Sequence, residues 1–351
     1  MNSVKKTIVL IIVVFLASTV SAQQSQPFTQ YLFSRFLLNP AACGADGYSS
    51  VGLTAKNQWT GFPDAPVNQT LTAQTRLQRE GLFGKRRWYN SANENRYTPE
   101  RVGLGVALFN DMRGPIRTTG GNFTYAYHIE DLFGQLSFGL TASFFQLNIN
   151  RNKIETEFDD PYLNGNKLNS FVPDASFGVH YTTSDFYAGF SASNLFQSLL
   201  SFGDRSSSKF RIERQYHILG GYVFDINDRW SFVPGTQIRF NERIIAQIDV
   251  NLMCYYYNNV WGGFSYRSGG GGAFGGSSLL FGVRYNQYHF GYAFDYTLSG
   301  IQNYSYGSHE LMLSITFGLN EQFFRYKRRY EFKNSENVRR IRRKSLETDP
   351  T

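Results

Sequence analysis

Beyond its first 22 residues, the chain lacks any apolar run of the roughly 20 residues that a membrane-spanning helix needs. Proline is scarce, at 10 of 351 residues, and two cysteines allow one disulfide at most. The five histidines fall on separate predicted strands without metal-ligand spacing. These shortages exclude a helical-bundle membrane protein and a disulfide-stapled scaffold, and they leave no motif for catalysis, a metal or a cofactor.

The first 22 residues have the three parts of a secretory signal. A basic start, MNSVKK, is followed by the apolar run TIVLIIVVFLASTV and then by small residues that end at Ala22. Because the apolar run is shorter than a spanning helix, an uncleaved anchor is the weaker interpretation. We predict that residues 1–22 are a signal peptide and that the mature chain leaves the cytoplasm.

Aromatic residues are abundant: 23 Tyr and 32 Phe dominate a 17% aromatic share beside 33 Gly, yet mean hydropathy is only −0.35. A transmembrane β-barrel has this profile, because its strands are apolar at alternate positions and its rims carry aromatic girdles. In QYHFGYAFDYT (287–297) every second residue is aromatic, and SHELMLSITFGL (308–319) alternates likewise except at Met312. Such alternation predicts strands rather than helices.

The same pattern predicts an all-β transmembrane outer-membrane barrel of about 14 antiparallel strands, with residues 49–320 as the barrel. An even count returns both ends to one side, which we expect to be the periplasm. Connections after even-numbered strands are then periplasmic turns, and those after odd-numbered strands are longer outer loops. The predicted strands are 49–59, 67–77, 101–112, 118–130, 134–150, 173–183, 185–195, 214–226, 230–240, 246–256, 260–269, 275–286, 287–297 and 308–319.

The predicted faces of the strands give further expectations. Cys254 shares an apolar face with Val250 and Leu252, so we expect it to face lipid and not to pair with Cys43. Inward faces are rich in Gly, Ser and Thr with few charges at mid-strand, which predicts an occluded or weakly selective lumen. The histidines are expected to line that lumen in hydrogen-bonded surroundings.

Positive charge is concentrated in two segments that strand parity assigns to the periplasmic side. From Arg76 to Arg101, seven Lys or Arg face three Glu, a net of +4, and in the tail 321–351 ten Lys or Arg face five acids, a net of +5. No nucleic-acid partner is expected for an exported, membrane-embedded chain. The tail is either solvated or docks on anionic headgroups or an acidic periplasmic partner. The docking candidates are Arg86, Arg87, Arg339, Arg340, Arg342 and Arg343.

Residues 23–48, between the predicted signal and the first strand, are too aromatic for an idle linker. Phe28, Leu32 and Phe36 have i, i+4 spacing, which predicts a short helix that Pro40 ends. This N-terminal segment either plugs the lumen from the periplasmic mouth or offers an apolar face to a partner. The simpler alternative is a connector packed on the first strands. We favour the plug.

Seven segments resemble the PorP/SprF family of outer-membrane proteins along nearly the whole chain. They are FTQYLFSRFLLNPAACGADG, KNQWTGFPDAPVNQTLTAQTRL, RVGLGVALFNDMRGPIRTTGGNFTYAYHI, PDASFGVHY, DFYAGFSASNL, GYAFDYTLSG and NYSYGSHELMLSITFG. The combination of NQWTGF (57–62), YTLSG (296–300) and GSHE (307–310) is specific. The family-signature or partner-contact candidates are Tyr31, Phe33, Asn39, Pro40, Asn57, Gln58, Trp59, Gly61, Phe62, Tyr296, Ser299, Gly300 and His309.

The resemblance implies a non-enzymatic component of the type IX secretion and gliding-motility apparatus of the Bacteroidota. Family members look like outer-membrane partners that help secreted adhesins with a C-terminal sorting domain to reach or stay on the cell surface. The implied partners are outer-membrane lipids, such an adhesin, and periplasmic or lipoprotein components of the machinery, with no cofactor. A passive channel or hydrophobic-solute transporter is the alternative. The basic tail and the insertion at 78–100 depart from the family pattern.

Overall fold

The structure of the chain is a computed structural model, which describes most of the residues between 28 and 317. The described ranges are 28–77, 101–130, 134–154, 169–200, 210–227, 229–242, 246–257, 259–268, 275–298 and 300–317. The predicted signal peptide, the insertion at 78–100 and the tail at 321–351 lie outside them. No helix in the described ranges is both long enough and apolar enough to cross a membrane.

The described residues form fourteen principal strands, each close to a predicted one. They are β1 (Ser49–Asn57), β2 (Val67–Arg76), β3 (Val102–Arg113), β4 (Ile116–Glu130), β5 (Gln135–Ile149), β6 (Asn169–Thr182), β7 (Phe186–Ser193), β8 (Gln215–Tyr222, continued by Phe224–Asp225), β9 (Trp230–Asn241), β10 (Ala246–Tyr256), β11 (Val260–Arg267), β12 (Gly276–Tyr285), β13 (Tyr288–Thr297) and β14 (Ser308–Phe317).

Every strand pairs antiparallel with its neighbours in sequence, and β14 returns to pair with β1. Ser49 lies opposite Phe317 and Asn57 lies opposite His309, so the sheet closes into a ring. Closure satisfies the strand edges that an open sheet would leave in lipid, where no water can hydrogen-bond to them. The predicted all-β antiparallel barrel is therefore confirmed.

The two faces of the wall differ as the alternation predicts. On β13, Tyr288 and Phe290 are exposed on the outer face, whereas Gly291 and Ala293 are buried on the inner face. Met312, the exception to the pattern on β14, is buried inside. The outer face is thus apolar and aromatic, as contact with hydrocarbon requires.

The two cysteines lie in different surroundings and both are free. Cys254 is half-buried on the outer face of β10, where Val250 and Leu252 are exposed, and Cys43 is fully buried. Cys254 therefore faces outward, as its apolar neighbours predicted.

One predicted strand is interrupted. The register continues from Gly221 opposite Gly235 to Phe224 opposite Phe232, which brings Tyr222 opposite Pro234. Proline has no N–H to donate to the ladder, and the two parts of β8 meet at this point.

We name the two ends of the barrel by their connections. The loop rim is the end at which β1 finishes, and the turn rim is the end at which β1 begins. Connections at the loop rim include 58–66, 150–168, 194–214 and 298–307. Those at the turn rim are 131–134, 183–185, 226–229, 257–259 and 286–287, together with the long 77–101. The basic candidates Arg86, Arg87, Arg339, Arg340, Arg342 and Arg343 lie outside the described residues.

Candidate functional site

Residues 28–48, which we call the inner segment, contact the inward-facing side of the barrel wall before β1 begins. Near the loop rim, Thr29 N donates to the carboxylate of Glu310 on β14, at 2.7 Å. Near the turn rim, the carbonyl of Cys43 accepts from His128 Nε2 on β4, at 3.0 Å. The segment therefore runs down the lumen from the loop rim towards the turn rim.

The inner segment is not the continuous helix that the i, i+4 spacing predicted. It forms three short 3-10 turns: Tyr31–Phe33, Arg35–Leu37 and Pro40–Ala42. The backbone leaves the helical region between them, with φ of −131° at Ser34 and −133° at Asn39. Asn39 precedes a proline, which disfavours the α conformation. Contacts with the wall, rather than helical hydrogen bonds, fix the path of this segment.

Residues 39–41 fit into a depression on the inner face of the paired strands β5 and β6, which we call the seat. Gly139 and Gly178 lie opposite each other at this depression. A Cβ at Gly139 would lie 2.2 Å from Ala41 N, and a Cβ at Gly178 would lie 2.0 Å from Asn39 Oδ1. The Asn39 amide also donates to a main-chain carbonyl of β6 at 2.9 Å. The missing side chains of the two glycines therefore let the inner segment touch the wall backbone.

On the turn-rim side of the seat, His128 binds the inner segment. A carbonyl oxygen only accepts, so His128 Nε2 carries the proton shared with Cys43 O, while Nδ1 is 2.8 Å from Ser137 Oγ. A Cβ at Gly103 would lie 2.2 Å from Cys43 O. Burial raises the pKa of the Cys43 thiol to about 12. This thiol is therefore protected by burial and protonated at neutral pH.

The middle of the inner segment packs on β10 and β11. The Phe33 and Trp261 rings lie 4.5 Å apart between centroids. The Asn251 side-chain amide donates to the hydroxyl of buried Tyr31. The indole of Trp261 packs directly over Gly282, where a Cβ would lie only 2.2 Å from the ring. The candidates Tyr31 and Phe33 are thus both contacts between the inner segment and the wall.

The start of the inner segment is held by charged groups, which we call the latch: Thr29, Gln30, Lys56, Asp295 and Glu310. Backbone N–H groups of Thr29 and Gln30 donate to the two oxygens of the Glu310 carboxylate, at 2.7 and 2.8 Å. The Thr29 hydroxyl donates to the Asp295 carboxylate and accepts from Lys56 Nζ at 2.9 Å. Every latch residue therefore contributes a polar group to one connected network.

The latch is an ionic cluster removed from water. The Lys56 amino group lies 2.6 Å from Asp295 and 3.4 Å from Glu310, and the side chains of Lys56 and Glu310 are 1% and 0% exposed. Lys56 faces both carboxylates, and donors from the inner segment complete the solvation of Glu310. Removing one partner of a buried ion pair typically costs about 3–5 kcal/mol, because the remaining charge is left uncompensated.

The inward-facing charges of the latch and of Arg267 lie towards the loop-rim ends of their strands: Lys56 is the penultimate residue of β1, and Arg267 is the last residue of β11. The expectation of few charges at mid-strand stays a prediction. Besides the latch, Arg267 Nε donates to Asp249 Oδ1 across β10 and β11 at 3.0 Å. These charges lie on the buried face and are paired within the wall, so they satisfy each other in place of water. A lumen lined by charge is therefore compatible with a closed interior.

Trp59 joins the signature motif at 57–62 to the latch strands. Its backbone N–H donates to Ser308 Oγ at 3.1 Å, and its indole N–H donates to Thr297 Oγ1 at 3.2 Å. Ser308 and Thr297 each lie two residues nearer the loop rim than Glu310 and Asp295. Trp59 therefore bridges β13 and β14 on the loop-rim side of the latch.

The neighbouring loops at 58–66 and 298–307 are joined by their backbones. Thr60 N donates to Gly307 O and Tyr306 N donates to Thr60 O, both at 2.8 Å. Gly61 has a φ of +94°, and the Tyr306 ring would lie 2.7 Å from a Cβ there. Phe62 is exposed beside this contact, and Gln58, buried, closes the loop by donating to Pro66 O at 2.9 Å.

The remaining candidates that the structure describes lie outside the lumen. Asn57 is exposed at the end of β1. Tyr296 is exposed on the outer face, and Gly300 begins the exposed 3-10 turn Gly300–Tyr304. His309 was expected to line the lumen but lies on the outer face, where its Nδ1 is 2.6 Å from the Tyr292 hydroxyl. Ser299 is outside the described residues.

Three latch residues were not predicted as site residues, although each lies beside a signature motif or at its end. Lys56 directly precedes the motif at 57–62, Asp295 directly precedes the motif at 296–300, and Glu310 ends the motif at 307–310. A charged residue at inward parity beside each motif was the available signal.

A cavity of about 250 Å³ lies between the inner segment and the wall on the turn-rim side. Its lining includes Phe33, Trp261 and Tyr187 with the arginines Arg35 and Arg284. Within the described ranges, no group of three or more His, Cys, Asp or Glu side chains is arranged to hold a metal ion.

The sequence matches the family model described as the type IX secretion system membrane protein PorP/SprF over residues 20–315. The chain belongs to the PorP/SprF family. The match includes the inner segment and all but the end of β14. The resemblance carried by the motifs is therefore confirmed, and the chain is an outer-membrane component of the type IX secretion system.

Several solved structures are similar to this PorP/SprF protein at low identity. The toluene transporter TbuX of Ralstonia pickettii is 10% identical, with a TM-score of 0.47 over 81% of this chain and 93% of that chain. The toluene transporter TodX of Pseudomonas putida is 11% identical, with a TM-score of 0.44 over 85% and 95%. A FadL homologue of Pseudomonas aeruginosa is 11% identical, with a TM-score of 0.44 over 80% and 92%. No curated protein matches the sequence.

Proposed function

We propose that this PorP/SprF protein acts without catalysis in type IX secretion and gliding motility, by assisting the export or surface retention of a secreted adhesin. It docks to periplasmic machinery on its other side. The mature chain begins after a cleaved signal peptide, the turn rim and the C-terminus face the periplasm, and the loop rim faces outward.

The observation that carries this proposal is the inner segment. It is anchored at the latch, along β10 and β11, and at the seat, so its contacts extend from one half of the lumen to the other. Because the inner segment occupies the lumen, the barrel is better suited to docking than to conducting solutes. Family membership supplies the secretion system in which that docking takes place.

The periplasmic side of the proposal rests on charge. The basic segments 78–100 and 321–351 both follow strands that end at the turn rim, and both carry a net positive charge. An acidic periplasmic partner is the chemistry that such charge attracts. Arg86, Arg87, Arg339, Arg340, Arg342 and Arg343 are the proposed contacts.

The test is co-purification from detergent-solubilised outer membranes of the native cells. The full chain is compared with a version truncated after Asn320. We expect a large cell-surface protein to co-purify with both, and a periplasmic component to be lost only from the truncated version. Unchanged recovery of every periplasmic component would remove tail docking, and the absence of any secreted protein from both would contradict the adhesin role.

The second candidate function is a passive channel or hydrophobic-solute transporter. The cavity of about 250 Å³ on the turn-rim side favours it, because aromatic and polar groups there give room for a small amphipathic molecule. A channel of this kind would conduct ions or take up solutes in reconstituted membranes, whereas a docking protein would not.

A further inference from the structure

We propose that an aromatic platform at the loop rim, made of Phe62, Tyr304 and Tyr306, is the surface on which the secreted protein docks. The segment that docks is an uncharged, apolar stretch of polypeptide. This inference rests on the proposed function and specifies the contact surface for it.

The platform exposes large aromatic side chains. Tyr306 is 82% exposed, Tyr304 is 74% exposed and Phe62 is 44% exposed. Tyrosine and other aromatic residues are enriched among the residues that contribute most to protein–protein binding, because they bury a large area with few rotatable bonds. Three such rings on two adjoining loops form a candidate contact centre.

The backbone beneath the platform is preorganised. The two hydrogen bonds between Thr60 and residues 306 and 307, both 2.8 Å, tie the loops together. The Tyr306 ring covers Gly61, which adopts a φ of +94° that disfavours any side chain. Trp59 has a φ of +46°, an uncommon conformation for an aromatic residue. A surface that is already ordered loses little conformational entropy when a partner binds.

The surroundings of the platform are aqueous rather than lipid. Gln302 and Asn303, which directly precede Tyr304 on the same loop, are exposed. Asp64, in the loop that carries Phe62, forms an exposed ion pair with Lys153 in the connection between β5 and β6. An ion pair and free amide side chains are costly in hydrocarbon, so these loops lie above the apolar band.

The charge of the platform indicates the chemistry of its partner. Asp64 is the only charged residue in 58–66 and 298–307, and Lys153 neutralises it. The loops 58–66 and 298–307 themselves leave no net charge to attract an anionic glycan or a strongly charged peptide. Apolar contact with aromatic rings is therefore the main interaction that the platform offers, and an uncharged polypeptide segment complements it.

The experiment measures the secreted protein that co-purifies with the full chain. The double variant Tyr304→Ala/Tyr306→Ala is compared with the wild type and with Tyr285→Ala, which removes an equally exposed tyrosine (74%) from the turn-rim end of β12. We expect the double variant to bind the secreted protein with an affinity about 30-fold weaker, as for the loss of aromatic hot spots, so that less of it co-purifies. Recovery with Tyr285→Ala should stay unchanged. Heat-modifiable migration verifies that each barrel is folded.

The outcomes separate the platform from the function on which it rests. Wild-type recovery with the double variant would overturn the platform and leave the docking function standing. Absence of any secreted protein with the wild type would contradict the docking function, and the platform would fall with it. A photo-crosslinker placed at position 306 in intact cells should label a polypeptide. Labelling of lipid or lipopolysaccharide alone would assign these rings to the membrane interface and overturn the inference.

Discussion

The two ends of the inner segment are held by different physical means. At the latch, two backbone N–H groups and a threonine hydroxyl meet Lys56, Asp295 and Glu310. At the seat, residues 39–41 touch the wall where Gly139 and Gly178 leave no side chain in the way. The latch depends on charge and the seat depends on shape.

This difference determines which end can be released. An ionic network in a closed interior is stable only while every member has its partner, so one protonation or one competing group destabilises it. The steric fit at the seat cannot be released by protonation or by a competing group, because the wall strands would have to move to free residues 39–41. We therefore expect the latch end to open while the seat end stays in place.

The largest effect is expected at the seat. Gly139→Ala places a Cβ within 2.2 Å of the Ala41 backbone, which no rotamer change relieves, so residues 39–43 should be displaced. Exposure of Cys43 returns its thiol pKa from about 12 towards its ordinary value. Thiol alkylation at pH 8 in a Cys254→Ser background should then accelerate on the order of 10³-fold.

The matched control for the seat is Gly262→Ala, because a Cβ at Gly262 would lie in ordinary contact, 3.7 Å from Leu280 O. Its Cys43 should react as slowly as in the background protein. Slow alkylation in Gly139→Ala as well would show that the seat does not depend on the missing side chain.

A smaller, local effect is expected at the latch. Glu310→Ala removes the acceptor of both backbone N–H groups and leaves Lys56 with one carboxylate, at a cost of about 3 kcal/mol. With a reporter Phe28→Cys, alkylation at the start of the inner segment should rise about 100-fold. Cys43 should stay protected if the two ends are independent. Equal acceleration at both positions would show that the inner segment leaves as one unit.

The middle of the inner segment should matter less. Phe33→Ala removes the ring that packs against Trp261, which should cost about 1–2 kcal/mol for a half-buried aromatic residue. Alkylation of the Phe28→Cys reporter should rise about tenfold. Phe33→Leu, which keeps most of the apolar volume, serves as its control. A larger change than that of Glu310→Ala would make packing, rather than charge, the main hold on this end.

The smallest effect is expected at an exposed ion pair. Lys153 and Asp64 join two loops at the rim and are 45% and 54% exposed. Asp64→Asn should change stability by less than about 1 kcal/mol, because solvent screens such pairs. Chemical denaturation monitored by tryptophan fluorescence measures this. A change as large as that of Glu310→Ala would contradict the distinction between buried and exposed charges.

Much of the wall was predictable because its alternation is local. β10, predicted at 246–256, is observed with those same bounds. The polarity of each residue along the strand indicates which face of the sheet its side chain lies on. The interruption of β8 was not predicted, because it depends on Pro234 in the neighbouring strand. Cross-strand register has to be known before such an effect is visible.

The latch was not predictable for a related reason. Lys56 and Glu310 are far apart in sequence, and they meet only because β1 pairs with β14 to close the ring. Glycines at inward positions, such as Gly139 and Gly178, equally gave no sign of what they would contact. Aromatic content set residues 23–48 apart in the sequence. The 3-10 turns of the inner segment follow from contacts with a wall that sequence periodicity does not describe.

Ion conductance in planar bilayers tests most directly whether the inner segment occupies the lumen. The purified full chain is compared at equal insertion with Gly139→Ala and Gly262→Ala. We predict that the wild type and Gly262→Ala give no stable conductance steps, and that Gly139→Ala opens them. Steady, ohmic steps from the wild-type protein would contradict an occupied lumen and would favour the channel function.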